Sequence, residues 1–180
     1  MGREIRRVPA NWEHPRWTEE DSPRAAWVGE FKSMHDETYE QAATEWLDAL
    51  AKWEAGENPD REKYGYRYIW DWEGNPPDKH YYRPEFESEP TWFQLYETVS
   101  EGSPVTPPFA TEDELIDYLC TEGDSWCQKR TSFRDPIPTR DQATALVKSG
   151  YAPSMVVANG KIMGPAEAAE FCTTEPTAND

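Results

Sequence analysis

Residues 91–119 read TWFQLYETVSEGSPVTPPFATEDELIDYL, and this stretch decides the fold class. Its first nine residues are rich in aromatic side chains and predict a strand. A turn at Gly102 and a proline-rich loop follow, because proline fixes φ and withholds a backbone donor. Thr111 and Glu114 then form a capping-box pattern, which predicts a helix that ends at Gly123. The stretch therefore predicts a strand, a stiff loop and a helix in succession.

Three other stretches carry local signals. HDETYEQAATEWLDALAKWEAGENP (35–59) predicts a helix that begins after Asp36 or Thr38 and ends at Gly56. TRDQATALVKSG (139–150) predicts a second helix, and Asn159-Gly160 inside PSMVVANGKIMG is the commonest two-residue hairpin signal. The first of these helices has an apolar stripe at helical spacing, formed by Tyr39, Ala43, Trp46, Leu47, Leu50 and Trp53.

These elements lack regular βαβ alternation and predict the α+β class. We expect a single compact domain over residues 1–172, in which a mainly antiparallel sheet with aromatic-rich strands packs against two or three helices. A β-hairpin closes it at the C-terminal end. Residues 1–30 are expected to form an extended arm, since prolines punctuate this stretch and it has no sustained period. Residues 173–180 are expected to form a flexible acidic tail.

An aromatic row follows the first predicted helix. Its members occupy alternate positions, which in a strand places all the rings on one face; they are Tyr64, Tyr66, Tyr68, Trp70 and Trp72. The row therefore predicts a strand. Two roles stay open for it: core packing, which the shortage of aliphatic residues favours, and an exposed surface that grips a ligand.

Charge is the strongest feature of the composition. The chain has 35 acidic and 18 basic residues and a formal net charge of −17. Residues 1–16 hold four arginines against two glutamates, so the arm is +2 and the rest is −19. Such a body repels phosphate backbones, which argues against direct nucleic-acid binding and favours a basic surface of a host protein or nucleoprotein complex as partner. The alternative is that the charge serves solubility alone.

The predicted helix after Thr111 carries the candidate partner-binding face. That acidic face consists of Glu112, Asp113, Glu114, Asp117, Glu122 and Asp124. A capped helix holds these carboxylates at fixed spacing, as a mimic of nucleic acid requires. The competing interpretation is structural, because acidic residues in a first helical turn are stabilised by the helix dipole.

The common catalytic patterns are absent from the sequence. It contains no phosphate-binding loop, no HExxH, no GxSxG and no CxxC, and its histidines lack metal-ligand spacing. We therefore expect no enzyme activity, no catalytic residues, no metal and no cofactor. A weak nuclease-like pattern remains in Asp21, Glu30 and Lys32, where two carboxylates could hold Mg²⁺. Ser100 and Ser103 lie at a turn without a placed base, so they are interpreted as turn residues.

Several blocks resemble a family of small proteins encoded by tailed bacteriophages and prophages. They are REIRRVPANWEHP, YYRPEF followed by TWFQLYETVSEGSPVTPPFATEDELIDYL, and YAPSMVVANG, in this order and over about half of the chain. The resemblance implies a phage product that acts in the host bacterial cytoplasm. It supplies no catalytic or binding residues. No run of about 18 apolar residues is present, so no membrane span is expected.

Charge and context together favour an interaction protein. The leading hypothesis is a phage-encoded inhibitor of a host nucleic-acid-binding defence enzyme, of the anti-CRISPR or restriction-inhibitor type, that occupies its basic cleft. The alternatives are a phage accessory or structural protein that assembles with other phage proteins, and a metal-dependent nuclease with an unrecognised site. The oligomeric state stays open. We further expect Arg3, Arg6 and Arg7 to fold back onto the acidic body, while Val8, Trp12 and Trp17 fix the arm to the core.

Overall fold

A computed structural model describes residues 2–99, 101–123 and 137–174. The strands are β1 (Gly2–Val8), β2 (His35–Thr38), β3 (Tyr82–Arg83), β4 (Trp92–Glu97), β5 (Ser103–Pro104), β6 (Tyr151–Pro153), β7 (Val156–Ala158) and β8 (Lys161–Met163). The helices are α1 (Tyr39–Glu54), α2 (Pro59–Tyr64), α3 (Ile69–Trp72), α4 (Glu112–Glu122), α5 (Arg140–Ser149) and α6 (Pro165–Thr174), with short 3-10 helices at Ala25–Trp27 and Lys79–Tyr81. The α+β class predicted from the sequence is confirmed.

The chain divides into two compact units. The sheet unit comprises the described parts of Met1–Ser33 and Phe86–Asp180, and the insert unit comprises Met34–Glu85. The bounds 1–172 predicted for one domain stay a prediction. Each unit is described by itself.

The sheet unit is built on an antiparallel four-stranded sheet in the order β5-β4-β1-β6. β1 pairs with β4 along its whole length, from Arg3 opposite Glu97 to Val8 opposite Trp92. Its other edge pairs with β6. The first part of the predicted extended arm is therefore an interior strand of the sheet, a role that the sequence analysis did not assign to it.

Alternation along β4 separates the two faces of this sheet. Leu95, which is fully buried, packs with residues of α4, α5 and α6 on one face. Gln94 and Tyr96 belong to the opposite face, where Trp12 and His14 of the arm both hydrogen-bond to the Tyr96 hydroxyl. The core beneath the helices consists of Leu95, Val105, Leu115, Ile116, Leu119, Ala143, Leu146, Val147, Ala152 and Ala169.

The helix boundaries follow the predicted capping signals. Thr111 caps α4 through the Glu114 backbone amide, and the Glu114 carboxylate accepts hydrogen bonds from the backbone amides of Thr111 and Ala110. Thr139 caps α5 in the same way, and Gly150 ends it in the left-handed conformation. These local signals are confirmed, because each depends on groups within four residues of the other.

The C-terminal hairpin is confirmed, and one helix was missed. β7 and β8 pair across Asn159 and Gly160, both at positive φ. α6 then runs to Thr174, so the tail predicted from residue 173 begins too early; residues 175–180 lie outside the described residues. Alanine-rich PAEAAEF, with proline at the first helical position, was the overlooked signal.

The insert unit contains α1, α2, α3 and a parallel β2–β3 pair. The predicted strand over Tyr64–Trp72 is wrong. Gly65 ends α2 in the left-handed conformation, and the Asp71 carboxylate accepts from the backbone amides of Arg67 and Tyr68 to start α3. The alternating rings thus come from a helix end, a turn and a second helix rather than from one strand.

Burial within α1 also differs from the predicted stripe. Trp53 is buried as expected and lies parallel to Trp72 at 6.4 Å between ring centroids. Leu47, by contrast, is 58% exposed. The small residues Ala42 and Ala49 are buried, which places the inward face beside the predicted stripe rather than along it.

Candidate functional site

The acidic face lies on α4, with the exception of Asp124, which falls outside the described residues. Leu115, Ile116 and Leu119 are buried and hold the helix against the sheet. The opposite side of the helix faces solvent, so most of the predicted carboxylates are exposed; Asp113, Glu114, Asp117 and Glu122 are exposed and Glu112 is half-buried. The structure therefore brings five of the six predicted residues together on one helix.

Cations of α5 partly neutralise this face. Arg140 pairs with Asp117, and Lys148 pairs with Glu112. These hydrogen bonds raise the pKa of Arg140 and the pKa of Lys148 above their ordinary values. Together with the capping role of Glu114, they give three of the carboxylates a structural partner, as the competing interpretation of the cluster required.

Two carboxylates of the face keep their charge available. Within the described residues, Asp113 and Glu122 form no ion pair. Glu122 and burial raise the pKa of the neighbouring Tyr118, with burial as the larger cause. The exposed carboxylates of α4 that have no structural partner among the described residues are thus fewer than the sequence predicted, and they are Asp113 and Glu122.

The arginines of the N-terminal arm are bound within their own protein. Arg3 and Arg6 are buried at 7% and 6% exposure. Arg6 pairs with Glu4, donates to the backbone carbonyl of Glu101 at 2.8 Å, and lies 4.4 Å from the Tyr96 ring centroid. Arg3 lies 3.9 Å from a carboxylate oxygen of Glu97. The expectation that these arginines fold back onto acidic groups is confirmed for Arg3 and Arg6.

Two further arm arginines stack on aromatic rings. The guanidinium of Arg7 lies 3.6 Å from the Phe93 ring centroid, and that of Arg16 lies 3.7 Å from the Phe31 centroid. Arg16 also donates to the Gly29 carbonyl at 2.7 Å. Sequence reasoning predicted acidic partners and missed these rings, since the contacts depend on tertiary structure. Val8 and Trp17 are buried and Trp12 is half-buried, as expected for residues that fix the arm.

A buried histidine lies at the centre of the arm's polar contacts. His14 Nε2 lies 2.7 Å from the Lys32 carbonyl oxygen, and its Nδ1 lies 3.1 Å from the Tyr96 hydroxyl. Burial lowers the pKa of His14 to about 4, with Arg6 and Arg16 adding to the effect against the Lys32 hydrogen bond. The residue borders an open cavity of about 600 Å³ whose lining includes Trp12 and Phe31. Sequence analysis noted only that the histidines lack metal-ligand spacing, because the partners of His14 are distant along the chain.

The aromatic row is divided between solvent and the interior of the insert unit. Tyr64, Tyr68 and Trp70 are 57%, 52% and 53% exposed, whereas Tyr66 and Trp72 are half-buried. The favoured core role is therefore wrong for the first three. Tyr68 and Trp70 stack at 4.6 Å between ring centroids with an 11° angle between the rings. This pair is the most exposed stacked aromatic surface among the described residues.

The nuclease-like pattern is partly brought together. Lys32 pairs with the Asp21 carboxylate, which also accepts from the backbone amide and hydroxyl of Thr18. These hydrogen bonds hold the pKa of Asp21 well below its usual range. No group of three potential metal ligands occurs in the part of the chain that the structure describes. Ser103 lies in β5 within 3.2 Å of the Ser33 hydroxyl, and Ser100 is outside the described residues.

Comparisons with known proteins do not add a family or a function. No protein-family model matches the chain, and neither a curated protein nor a solved structure matches it. Among the described residues, none of the helices combines the length and the apolar character needed to cross a bilayer.

Proposed function

We propose that this protein is a phage-encoded acidic interaction protein that inhibits a host nucleic-acid-binding defence enzyme by occupying its basic cleft. The host enzyme is of the type that anti-CRISPR proteins or restriction inhibitors block. The observation that carries the proposal is the internal use of the arm's arginines. Arg3 and Arg6 are buried, and the two exposed arginines of this segment, Arg7 and Arg16, already stack on rings of their own chain.

The remaining surface suits a cationic partner. A formal net charge of −17 attracts basic clefts over a distance of about one Debye length, ~10 Å at 0.1 M salt. On α4, Asp113 and Glu122 are exposed carboxylates on a helix whose inward face is fixed by Leu115 and Leu119. A fixed backbone lowers the entropy that such contacts lose on binding. The acidic helix therefore supports the role of a nucleic-acid mimic.

The proposal is tested by capture of the host partner. Tagged protein is incubated with bacterial lysate, and the host proteins retained at moderate salt are identified by mass spectrometry. The nuclease activity of each retained enzyme is then measured with and without the tagged protein. The charge reversals Asp113→Lys and Glu122→Lys, made together, are expected to weaken capture and inhibition. Reversing Glu112, Glu114 or Asp117 is less informative, because those side chains also support α4 and its contacts with α5.

A matched control separates the local effect from the change in net charge. Glu19→Lys and Glu20→Lys alter the same number of exposed charges in the arm. They are expected to weaken binding only slightly. Capture that does not change between 50 and 500 mM salt would overturn mimicry, because an electrostatic complex weakens as salt screens its charges. Retention of virion proteins alone would instead favour the accessory or structural alternative.

A further inference from the structure

The exposed aromatic pair of the insert unit is built to be rigid. Ile69, between Tyr68 and Trp70, is buried at 6% exposure. Trp72 lies parallel to Trp53, and the Asp71 carboxylate holds the backbone amide of Tyr68 at 3.0 Å. The segment is thus anchored on both sides of Trp70. Its exposed rings are held in place before any partner arrives, which reduces the entropic cost of binding.

The insert unit, which carries these rings, has an acidic composition. Met34–Glu85 contains 13 acidic residues and six lysines and arginines, which leaves −7 by formal count. Two cations of this unit already lie over other rings: Arg61 is 4.5 Å from the Trp53 centroid, and Lys63 is 4.6 Å from the Tyr64 centroid. An exposed π-face in a negatively charged region attracts a cation and repels a phosphate backbone.

Arginine fits such rings better than lysine does. Its guanidinium is planar and weakly hydrated, so it stacks on an aromatic face with a small desolvation cost. The protein itself uses this contact, since Arg7 and Arg16 lie 3.6 and 3.7 Å from their ring centroids. The two shortest cation–ring distances in the described residues are these arginine contacts, and Lys32 lies 5.0 Å from the Trp17 centroid.

We propose that Tyr68 and Trp70 form a docking site for arginine side chains on the basic surface of a protein partner. The inference rests on the proposed function, whose partner class it specifies. A second copy of this chain is a poor occupant, because two molecules of charge −17 repel each other and the arm's arginines are engaged internally. Tyr68 and Trp70 thereby add an arginine-selective contact to the non-selective attraction of the acidic surface.

The test compares fluorescent nona-arginine and nona-lysine peptides by anisotropy at 50 mM salt. The wild type is expected to bind nona-arginine more tightly than nona-lysine. The double variant Tyr68→Leu with Trp70→Leu keeps apolar area at these positions and removes the rings. We expect it to weaken nona-arginine binding by about 5- to 30-fold and nona-lysine binding by less than about twofold. The double variant Tyr68→Phe with Trp70→Phe keeps a ring at both positions and is expected to retain most of the preference for nona-arginine over nona-lysine.

The control variant removes an equally exposed apolar pair from the sheet unit. Val157 and Ile162 are 64% and 67% exposed and lie opposite each other in the C-terminal hairpin. Val157→Ala with Ile162→Ala is expected to leave both affinities unchanged. Circular dichroism and thermal melting of every variant verify that the fold is retained.

Three results would overturn the inference. One is equal loss of affinity for both peptides in the leucine variant. Another is wild-type binding of a 12-nucleotide oligo-dT strand that the leucine variant loses, which assigns the rings to base stacking. The third is a wild-type dimer in sedimentation that becomes a monomer in the leucine variant.

Failure of this inference is distinguishable from failure of the proposed function. If the wild type and the leucine variant capture the same host enzyme equally well, the function stands and the arginine site is wrong. If no host enzyme is captured while the peptide preference depends on Tyr68 and Trp70, the arginine site stands and the inhibitor role is wrong.

Discussion

Acidification should destabilise this protein through one buried side chain, His14. It is 7% exposed, and burial together with Arg6 and Arg16 lowers its pKa to about 4. In the unfolded chain the pKa returns to its ordinary value near 6.5. Between these two pKa values, His14 is therefore protonated in the unfolded state and neutral in the folded state. The contribution of His14 to stability is fully present above pH 6.5 and is lost as the pH falls towards 4.

The magnitude follows from the difference between the two pKa values. Two and a half pKa units correspond to about 3 kcal/mol in the limit of low pH, and to about 2.5 kcal/mol between pH 7.5 and 4.5. The carboxylates also titrate near the lower end of this range. The quantity to compare is therefore the difference between wild type and His14→Gln, in which only the histidine contribution changes.

Glutamine suits this position because it offers one donor and one acceptor. Its amide can donate to the Lys32 carbonyl, and its other polar atom can face the Tyr96 hydroxyl; these are the two groups that contact the ring nitrogens of His14. His80 provides the control, since its ring is exposed and its nearest acidic partner is Asp78 at 2.9 Å. His80→Gln keeps His14 and should therefore retain the His14 contribution to the loss of stability.

Urea denaturation at pH 7.5, 6.5, 5.5 and 4.5 measures the effect without changing the ionic strength. Between the extremes, the wild type should lose about 2.5 kcal/mol more than His14→Gln. Parallel curves for the two proteins would refute the reasoning. NMR titration of the His14 ring provides a direct second measurement, and a pKa near 6.5 in the folded protein would refute it independently.

Two further predictions concern the arginines and the acidic face. Gly102 has a φ of +117°, and a Cβ there would meet the Arg6 guanidinium, whereas a Cβ at Gly29, whose φ is +85°, would meet open space. In urea melts, Gly102→Ala should therefore lower the free energy of unfolding by about 3 kcal/mol and Gly29→Ala by about 1 kcal/mol. Equal losses in the two variants would contradict the contact with Arg6. Arg140→Ala with Lys148→Ala should tighten nona-lysine binding several-fold while the melting temperature changes little, because both cations are exposed and pair with α4 carboxylates. An unchanged affinity would show that these ion pairs do not limit the binding of cations to the acidic face.

The sequence predicted the elements whose signals are local. Thr111 with Glu114 and Thr139 with Gln142 specify helix starts through hydrogen bonds between residues three apart. Asn159-Gly160 specifies a turn because both residues adopt positive φ. In such cases the deciding groups are neighbours in the chain, and a single sequence contains them.

The central sheet depends on pairings that no local pattern shows. β1 and β4 are separated by more than 80 residues, and β1 reads as an arginine-rich arm rather than as an interior strand. Its charges are tolerated there because Arg6 finds Glu4, the Glu101 carbonyl and the Tyr96 ring. Prediction failed at this point because two of these groups, the Glu101 carbonyl and the Tyr96 ring, are distant from Arg6 along the chain.

The aromatic row shows the opposite failure, in which a strong local pattern gives the wrong structure. Alternate rings over Tyr64–Trp72 satisfy the strand pattern, but Gly65 at positive φ and the Asp71 cap direct the backbone into two short helices. Ile69, out of phase with the row, is the residue that the fold buries. Periodicity reports which residues share a face only once the secondary structure is known.

The aromatic rings of this chain fall into two groups: rings that a cation of the same chain contacts, and rings that none of the described cations contacts. In the sheet unit, Phe31, Phe93 and Tyr96 lie against arginines of the arm. In the insert unit, Tyr68 and Trp70 offer similar faces with no cation of the described chain upon them. Because the same contact is satisfied internally in one unit and left open in the other, the open one is where an arginine from another protein has the most to gain.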